Sequence, residues 1–97
     1  MRIRVTSAAH RDLIEAHDWY EAESPGLGRA LVTAVDTVFH FILEHPTLPR
    51  AVLRDLRRVH TKRFPYAIYY ELRDHDTVRI VAVFHTARNQ SSLATRQ

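Results

Sequence analysis

The stretch Lys62-Arg63-Phe64-Pro65-Tyr66-Ala67-Ile68-Tyr69-Tyr70, followed after one turn by Val81-Ala82-Val83-Phe84-His85-Thr86-Ala87-Arg88, decides the fold. Aromatic and β-branched residues at a period of two predict strands, and polar Asp74-His75-Asp76 between the two runs predicts a tight turn. Two antiparallel strands follow, ending in His85 and Arg88, three residues apart. Working outward, the same period gives a short strand at Ala51-Val52-Leu53, then strands over 57–63, 66–73 and 78–84, with Phe64-Pro65 as a further turn.

Towards the N-terminus the pattern changes. Arg2-Ile3-Arg4-Val5-Thr6 alternates charge with β-branched residues, as a half-buried strand does. Thr6 or Ser7 can then cap a helix. Its apolar stripe is Ala9, Leu13, Ala16 and Tyr20, widened by Trp19, while Asp12, Glu15, Asp18 and Glu23 are expected to face away. Ser24-Pro25 predicts the cap and first position of a second helix that buries Leu27, Leu31, Ala34, Val38 and Phe41 or Ile42. The His45-Pro46 step ends it, because a residue before proline is driven out of the helical region. Residues 7–45 therefore form a helical hairpin.

A flat register through the turns pairs Leu72 with Val78, Tyr70 with Ile80 and Val59 with Tyr70. One face then carries Val59, Thr61, Ile68, Tyr70, Leu72, Ile80, Ala82 and Phe84, and should lie under the helices. The other face, expected to be open, carries Arg58, His60, Lys62, Tyr69, Glu71, Arg79, Val81, Val83 and His85. On it Glu71 and Arg79 should form a cross-strand ion pair.

Ninety-seven residues suit one domain spanning 1–97, and 45% hydrophobic residues with only two glycines suit a folded one. Residues 89–97 are polar and are expected to be loose or briefly helical. With no cysteine, a disulfide framework and a thiolate zinc site are excluded. The histidine pairs His10/His17 and His40/His45 miss the one-turn spacing of helical metal ligands. No glycine-rich phosphate loop is present, so neither metal nor nucleotide cofactor is expected. No apolar run approaches membrane-spanning length and the start lacks the core of a signal peptide, which makes the cytoplasm the expected location.

The net charge of +3 is divided unevenly. Residues 1–49 carry four Lys/Arg against seven Asp/Glu, a net −3, and residues 50–97 carry ten against four, a net +6. The C-terminal half is the expected face for an anionic partner. Metal-free RNA cleavage needs a base for the 2′-hydroxyl, cations on the phosphate and an acid for the leaving oxygen. Candidates on the expected open face are His60 as base or acid, Arg58 and Lys62 as a phosphate clamp, Tyr69 as a stacking surface, and His85 with Arg88 at the edge. Set against this, basic rows on exposed strands commonly serve solubility. For His85 a bond to a backbone carbonyl that pins the tail, and for Arg88 a pair with a carboxylate, is the favoured reading.

The Arg-Phe-Pro-Tyr-Ala-Ile-Tyr-Tyr run at 63–70 and the Val-Phe-His-x-x-Arg ending at 83–88 resemble the RelE/ParE family of small bacterial toxins from type II toxin–antitoxin pairs. The resemblance extends over nearly the whole chain. It implies an α+β fold: an N-terminal strand, a helical hairpin, then a mostly antiparallel sheet with the first strand beside the last and both helices on one face. It also implies growth arrest relieved by a cognate antitoxin, with Arg57, Arg58, His60, Lys62, Arg63, Tyr69, His85 and Arg88 expected to bind the target or the antitoxin. The chain alone could be a homodimer, or join a toxin–antitoxin hetero-oligomer.

Two targets occur in that family. RelE-like members cut mRNA on the translating ribosome and tend to carry a basic cluster on the central strands with a Tyr or His near the C-terminus. ParE-like members poison DNA gyrase by binding. Here Arg58, His60 and Lys62 fill part of the cluster, but Ala67 stands where RelE-like members often place an Arg, and Ser91-Ser92-Leu93 lies near their terminal aromatic. That incomplete set favours a ParE-like gyrase inhibitor over a RelE-like nuclease. A non-toxic binding module of the same fold is the third reading.

Overall fold

A computed structural model describes residues 1–88 and 90–96. The described residues form strand β1 (Arg2–Val5), helices α1 (Ser7–Glu23) and α2 (Leu27–Glu44), then strands β2 (Ala51–Leu53), β3 (Leu56–His60), β4 (Tyr66–Arg73) and β5 (Thr77–His85). A 3-10 helix, Gln90–Arg96, closes the chain. The strands make one sheet in the order β1-β5-β4-β3-β2, with β1 parallel to β5 and every other pair antiparallel. The expected α+β architecture, with the first strand beside the last, is the one observed. The tail is helical where it is described; residues 89 and 97 lie outside the described residues.

Local chemistry sets the helix ends. Thr6 caps α1, its hydroxyl accepting from the Ala9 N–H at 3.1 Å. The start of α2 differs from expectation. Ser24 terminates α1 instead, donating its N–H to the Tyr20 carbonyl, and the chain then turns through Gly26 at φ 88°, a left-handed value suited to glycine. Helix α2 thus begins at Leu27, and its orphan N–H groups are met from outside. The Glu21 carboxylate accepts from Gly26 at 3.0 and 3.1 Å and from Gly28 at 3.0 Å. Gly28 also lets the helices close up, because a Cβ there would stand 2.7 Å from the His17 carbonyl oxygen.

The bonds from Gly26 and Gly28, aided by His17 and Arg29, hold the Glu21 pKa below its ordinary 4.5. A folded-state pKa lowered in this way gives stability that is complete above the unfolded value and is lost as pH falls through the folded one. The difference in melting temperature between the native protein and Glu21→Gln should therefore be largest near neutrality and close below about pH 4. A difference independent of pH would refute the cap.

The main core lies between the hairpin and the sheet. Ala9, Ala16, Leu31, Val35, Val38 and Ile42 meet Ile68, Tyr70, Val78, Ile80 and Val83. Tyr70 is fully buried and donates its hydroxyl to the Pro46 carbonyl at 2.8 Å, which fastens the α2–β2 loop to the sheet. Trp19, expected to widen the buried stripe, is instead 59% exposed, and Asp12, expected to face solvent, is 7% exposed.

The pairings Leu72 with Val78, Tyr70 with Ile80 and Glu71 with Arg79 are as expected, and the Glu71–Arg79 ion pair closes at 2.8 Å. Beyond them the flat register fails. Tyr70 faces Ile80 but Tyr69 faces Ala82, so Val81 is an extra residue and β5 bulges. The bulge exchanges the faces that follow. Val83 turns into the core under the helices, while Ala82 and Phe84, expected there, join the opposite side. On the other flank the β3–β4 turn is longer than expected, taking in residues 62–65 where Phe64-Pro65 alone was expected, so Val59 faces Ile68; a shift of two keeps its side chain on the core face.

The face expected to be open is covered. Leu93 of the 3-10 helix is fully buried there on Tyr69, Val81, Ala82, Phe84 and Leu56, a second small core. Tyr69 is 2% exposed, with its hydroxyl accepting from Gln90 at 2.7 Å, and offers no stacking surface.

Candidate functional site

The bulge also redistributes the candidate polar residues. His85 pairs with Tyr66, and its ring meets the Tyr66 ring edge-on at 5.4 Å on the helix side of the sheet. There it lines a pocket with Asp12, Glu15, Trp19, Tyr20 and Arg88. Its Nδ1 accepts the Ala87 N–H at 3.0 Å, which shapes the turn after β5. The Tyr66 phenol pKa is raised by burial and by the neighbouring Tyr20, which favours its protonated form.

His60 goes elsewhere. It is exposed at the end of β3 and lines a groove of about 510 Å³ with Ala30, Ala34, Val38, Phe41 and Val59, together with Lys62 and Arg63 at its rim. Lys62 and Arg63 are not on the strand expected for them. After His60 the Thr61 hydroxyl donates to the Phe64 carbonyl at 2.6 Å and its N–H to the Tyr66 carbonyl at 2.9 Å, closing a turn in which Arg63 takes φ 71°. Arg63 then rests over the Phe64 ring at 5.2 Å. The expected row of Arg58, His60 and Lys62 along one strand is thereby broken.

The other two arginines of β3 differ in use. Arg57 donates to the Thr47 and Pro49 carbonyls at 3.0 and 2.6 Å and braces the loop before β2. Arg58 is half-buried opposite Tyr69.

A buried ion-pair cluster that the sequence did not show lies at the edge of β5. β1 pairs with β5 only through Ile80, so the outer edge of β5 at the bulge lacks a strand neighbour. Side chains complete it. The buried Asp12 carboxylate accepts the Val83 N–H at 3.0 Å, and Arg96 donates to the Val81 carbonyl at 3.1 Å. Arg96 also grips both oxygens of Asp12, at 2.5 and 3.1 Å, and Arg88 approaches at 3.6 Å. Both guanidinium groups lie over the Phe84 ring, at 4.0 and 4.7 Å. The available signal was spacing: Asp12 falls between Ala9 and Ala16 on the buried i, i+3, i+7 row.

The described residues thus gather His85 and Arg88 into one pocket, place His60, Lys62 and Arg63 on another groove, and bury Tyr69. No helix is long and apolar enough to cross a membrane among the described residues.

Comparison with known proteins agrees with this fold. A chain from a solved structure titled "Chromosomal ParDE TA system from P. aeruginosa" superposes with a TM-score of 0.77 at 15% identity, covering 88% of this chain and 95% of that one. No curated protein sequence gives a significant match. The family described as "ParE toxin of type II toxin-antitoxin system, parDE" matches residues 3–90. With that match spanning nearly all of the sequence, the chain belongs to the ParE toxin family of type II toxin–antitoxin systems.

Proposed function

We propose that this chain arrests growth by ParE-like inhibition of DNA gyrase until a cognate antitoxin neutralises it. The observation that carries binding over RNA cleavage is the dispersal of the acid–base candidates. A metal-free nuclease must bring base, acid and phosphate clamp around one phosphodiester. Here His60 and His85 line different pockets and Tyr69 is buried under the tail. A gyrase poison requires a docking surface and no such convergence.

The groove beside α2 suits the antitoxin. Its apolar floor of Ala30, Ala34, Val38, Phe41 and Val59, rimmed by His60, Lys62 and Arg63, matches an amphipathic helix with acidic edges that orders on binding. Arg58, His60 and Lys62 would then lie near or under the partner.

The test is a cleavage assay with purified protein, gyrase and supercoiled plasmid. Trapped linear DNA is the expected product, and the protein encoded beside the toxin should abolish it. If cells still arrest but no linear DNA forms and ribosome-bound mRNA is cut, the RelE-like nuclease reading replaces this one. Absence of growth arrest on induction would leave a non-toxic module of the fold.

A further inference from the structure

We propose that four arginines at the β1 end of the sheet form a second, separate site that binds the phosphate backbone of duplex DNA. Arg2, Arg4, Arg73 and Arg79 line a depression of about 290 Å³ together with Thr77 and Asp74. They come from three adjacent strands, β1, β4 and β5, and the strand register brings them together. Arg2 stands beside Thr77 and Arg4 beside Arg79 on β5, while Arg73 and Glu71 face Thr77 and Arg79 from β4.

This cluster is built rather than incidental. Glu71 is buried, and one of its oxygens accepts from Arg73 and from Arg79, each at 2.8 Å. Arg79 also reaches the Arg96 carbonyl at 3.4 Å, so its fork is held from two sides. Among the described residues the Arg2 side chain has only a long contact to the Thr77 hydroxyl at 3.5 Å. The Arg4 side chain has no hydrogen bond or ion pair among the described residues, and it lies directly beside a like charge, an arrangement that costs stability on a sheet. Of the carboxylates nearby, Glu71 is committed beneath the arginines, Asp74 lies on the rim, and Asp76 accepts from the Thr77 hydroxyl. Positive charge remains in excess, and an anion laid across Arg2 and Arg4 would relieve it.

The lining selects the ligand. Planar guanidinium forks match phosphate oxygens, and Arg73 and Arg79 are held in place by Glu71. Among the described residues no apolar side chain lines the depression, so an acidic peptide would find no anchor. No aromatic side chain among the described residues lines it either, and single-stranded nucleic acid is held largely by base stacking. What remains is contact with a duplex backbone, over a width of about 10 Å for three strands. This site does not depend on gyrase being the target.

Fluorescence anisotropy of a labelled mixed-sequence DNA duplex with the full chain tests it, with no gyrase present. Binding should weaken with salt, the logarithmic slope being about −2 to −4 for a few neutralised phosphates. Arg2→Ala with Arg4→Ala should weaken binding about tenfold and reduce that slope by about two. Arg4→Ala alone removes no internal bond, so it should fold and lose about half of the slope change. Arg11→Ala with Arg50→Ala removes the same charge from exposed positions elsewhere and should leave binding nearly intact. Equal losses in both double variants would overturn the proposal as general electrostatics. So would tighter binding of single-stranded RNA or of a polyglutamate peptide, or no binding of the duplex.

Discussion

Asp12→Ala is expected to destabilise the protein by about 3–5 kcal/mol, the cost of removing one member of a buried ion pair. The physical reason is what remains behind. Arg96, whose side chain is 16% exposed, would keep its charge without its carboxylate, and the Val83 N–H would lose its acceptor at an edge that no strand covers. Against a total stability of about 5–15 kcal/mol, that loss would leave a large share of molecules unfolded near body temperature. Urea or guanidinium unfolding measures it directly. A double-mutant cycle with Arg96→Ala should return a coupling of about 1–3 kcal/mol, since the residues are in direct contact. A cost for Asp12→Ala below about 1 kcal/mol would mean that the edge is satisfied by water and that the clamp is incidental.

Phe84→Ala should cost a similar amount, about 3–5 kcal/mol, through a lost aromatic core side chain and the cavity it leaves. Its second effect is more diagnostic. The Phe84 ring is the surface on which Arg88 and Arg96 lie, and it packs in the same small core as Leu93. Removing it should release the 3-10 helix before the domain unfolds, so that trypsin cuts after Arg88 under conditions where the native chain resists. Val83→Ala provides the contrast. It removes core volume one residue away on the opposite face, and should lower stability while leaving the tail protected. Equal protease sensitivity in the two variants would refute a local clamp.

Several features were legible because they depend on near neighbours in sequence. The hairpin helices followed from apolar spacing, the α2 stop from His45-Pro46, and the β4–β5 pairing from a short turn that leaves little freedom of register. Glu71 facing Arg79 was readable for the same reason. The errors share a different origin. Ser24-Pro25 carries a valid helix-start signal, yet Glu21, a side chain of the preceding helix, supplies the cap and moves the start to Leu27. Trp19 and Asp12 exchanged their expected environments because a carboxylate was needed at the uncovered edge of β5, a need that α1 alone does not display.

The amino-acid sequence by itself determined the element order, the α+β class and the family, since periodicity, turn residues and the motifs at 63–70 and 83–88 are local or nearly so. Only the tertiary structure decided which polar residues meet. A single extra residue at Val81 reverses every later side chain of β5, sending His85 and Val83 to the helix side and Phe84 beneath the tail. Strand periodicity carries no mark of that insertion, because Ile80, Val81 and Ala82 are all apolar and any of them suits either face. The bulge forms where β1 departs and Asp12 and Arg96 take over its hydrogen bonds, partners separated by 84 residues that only folding brings together.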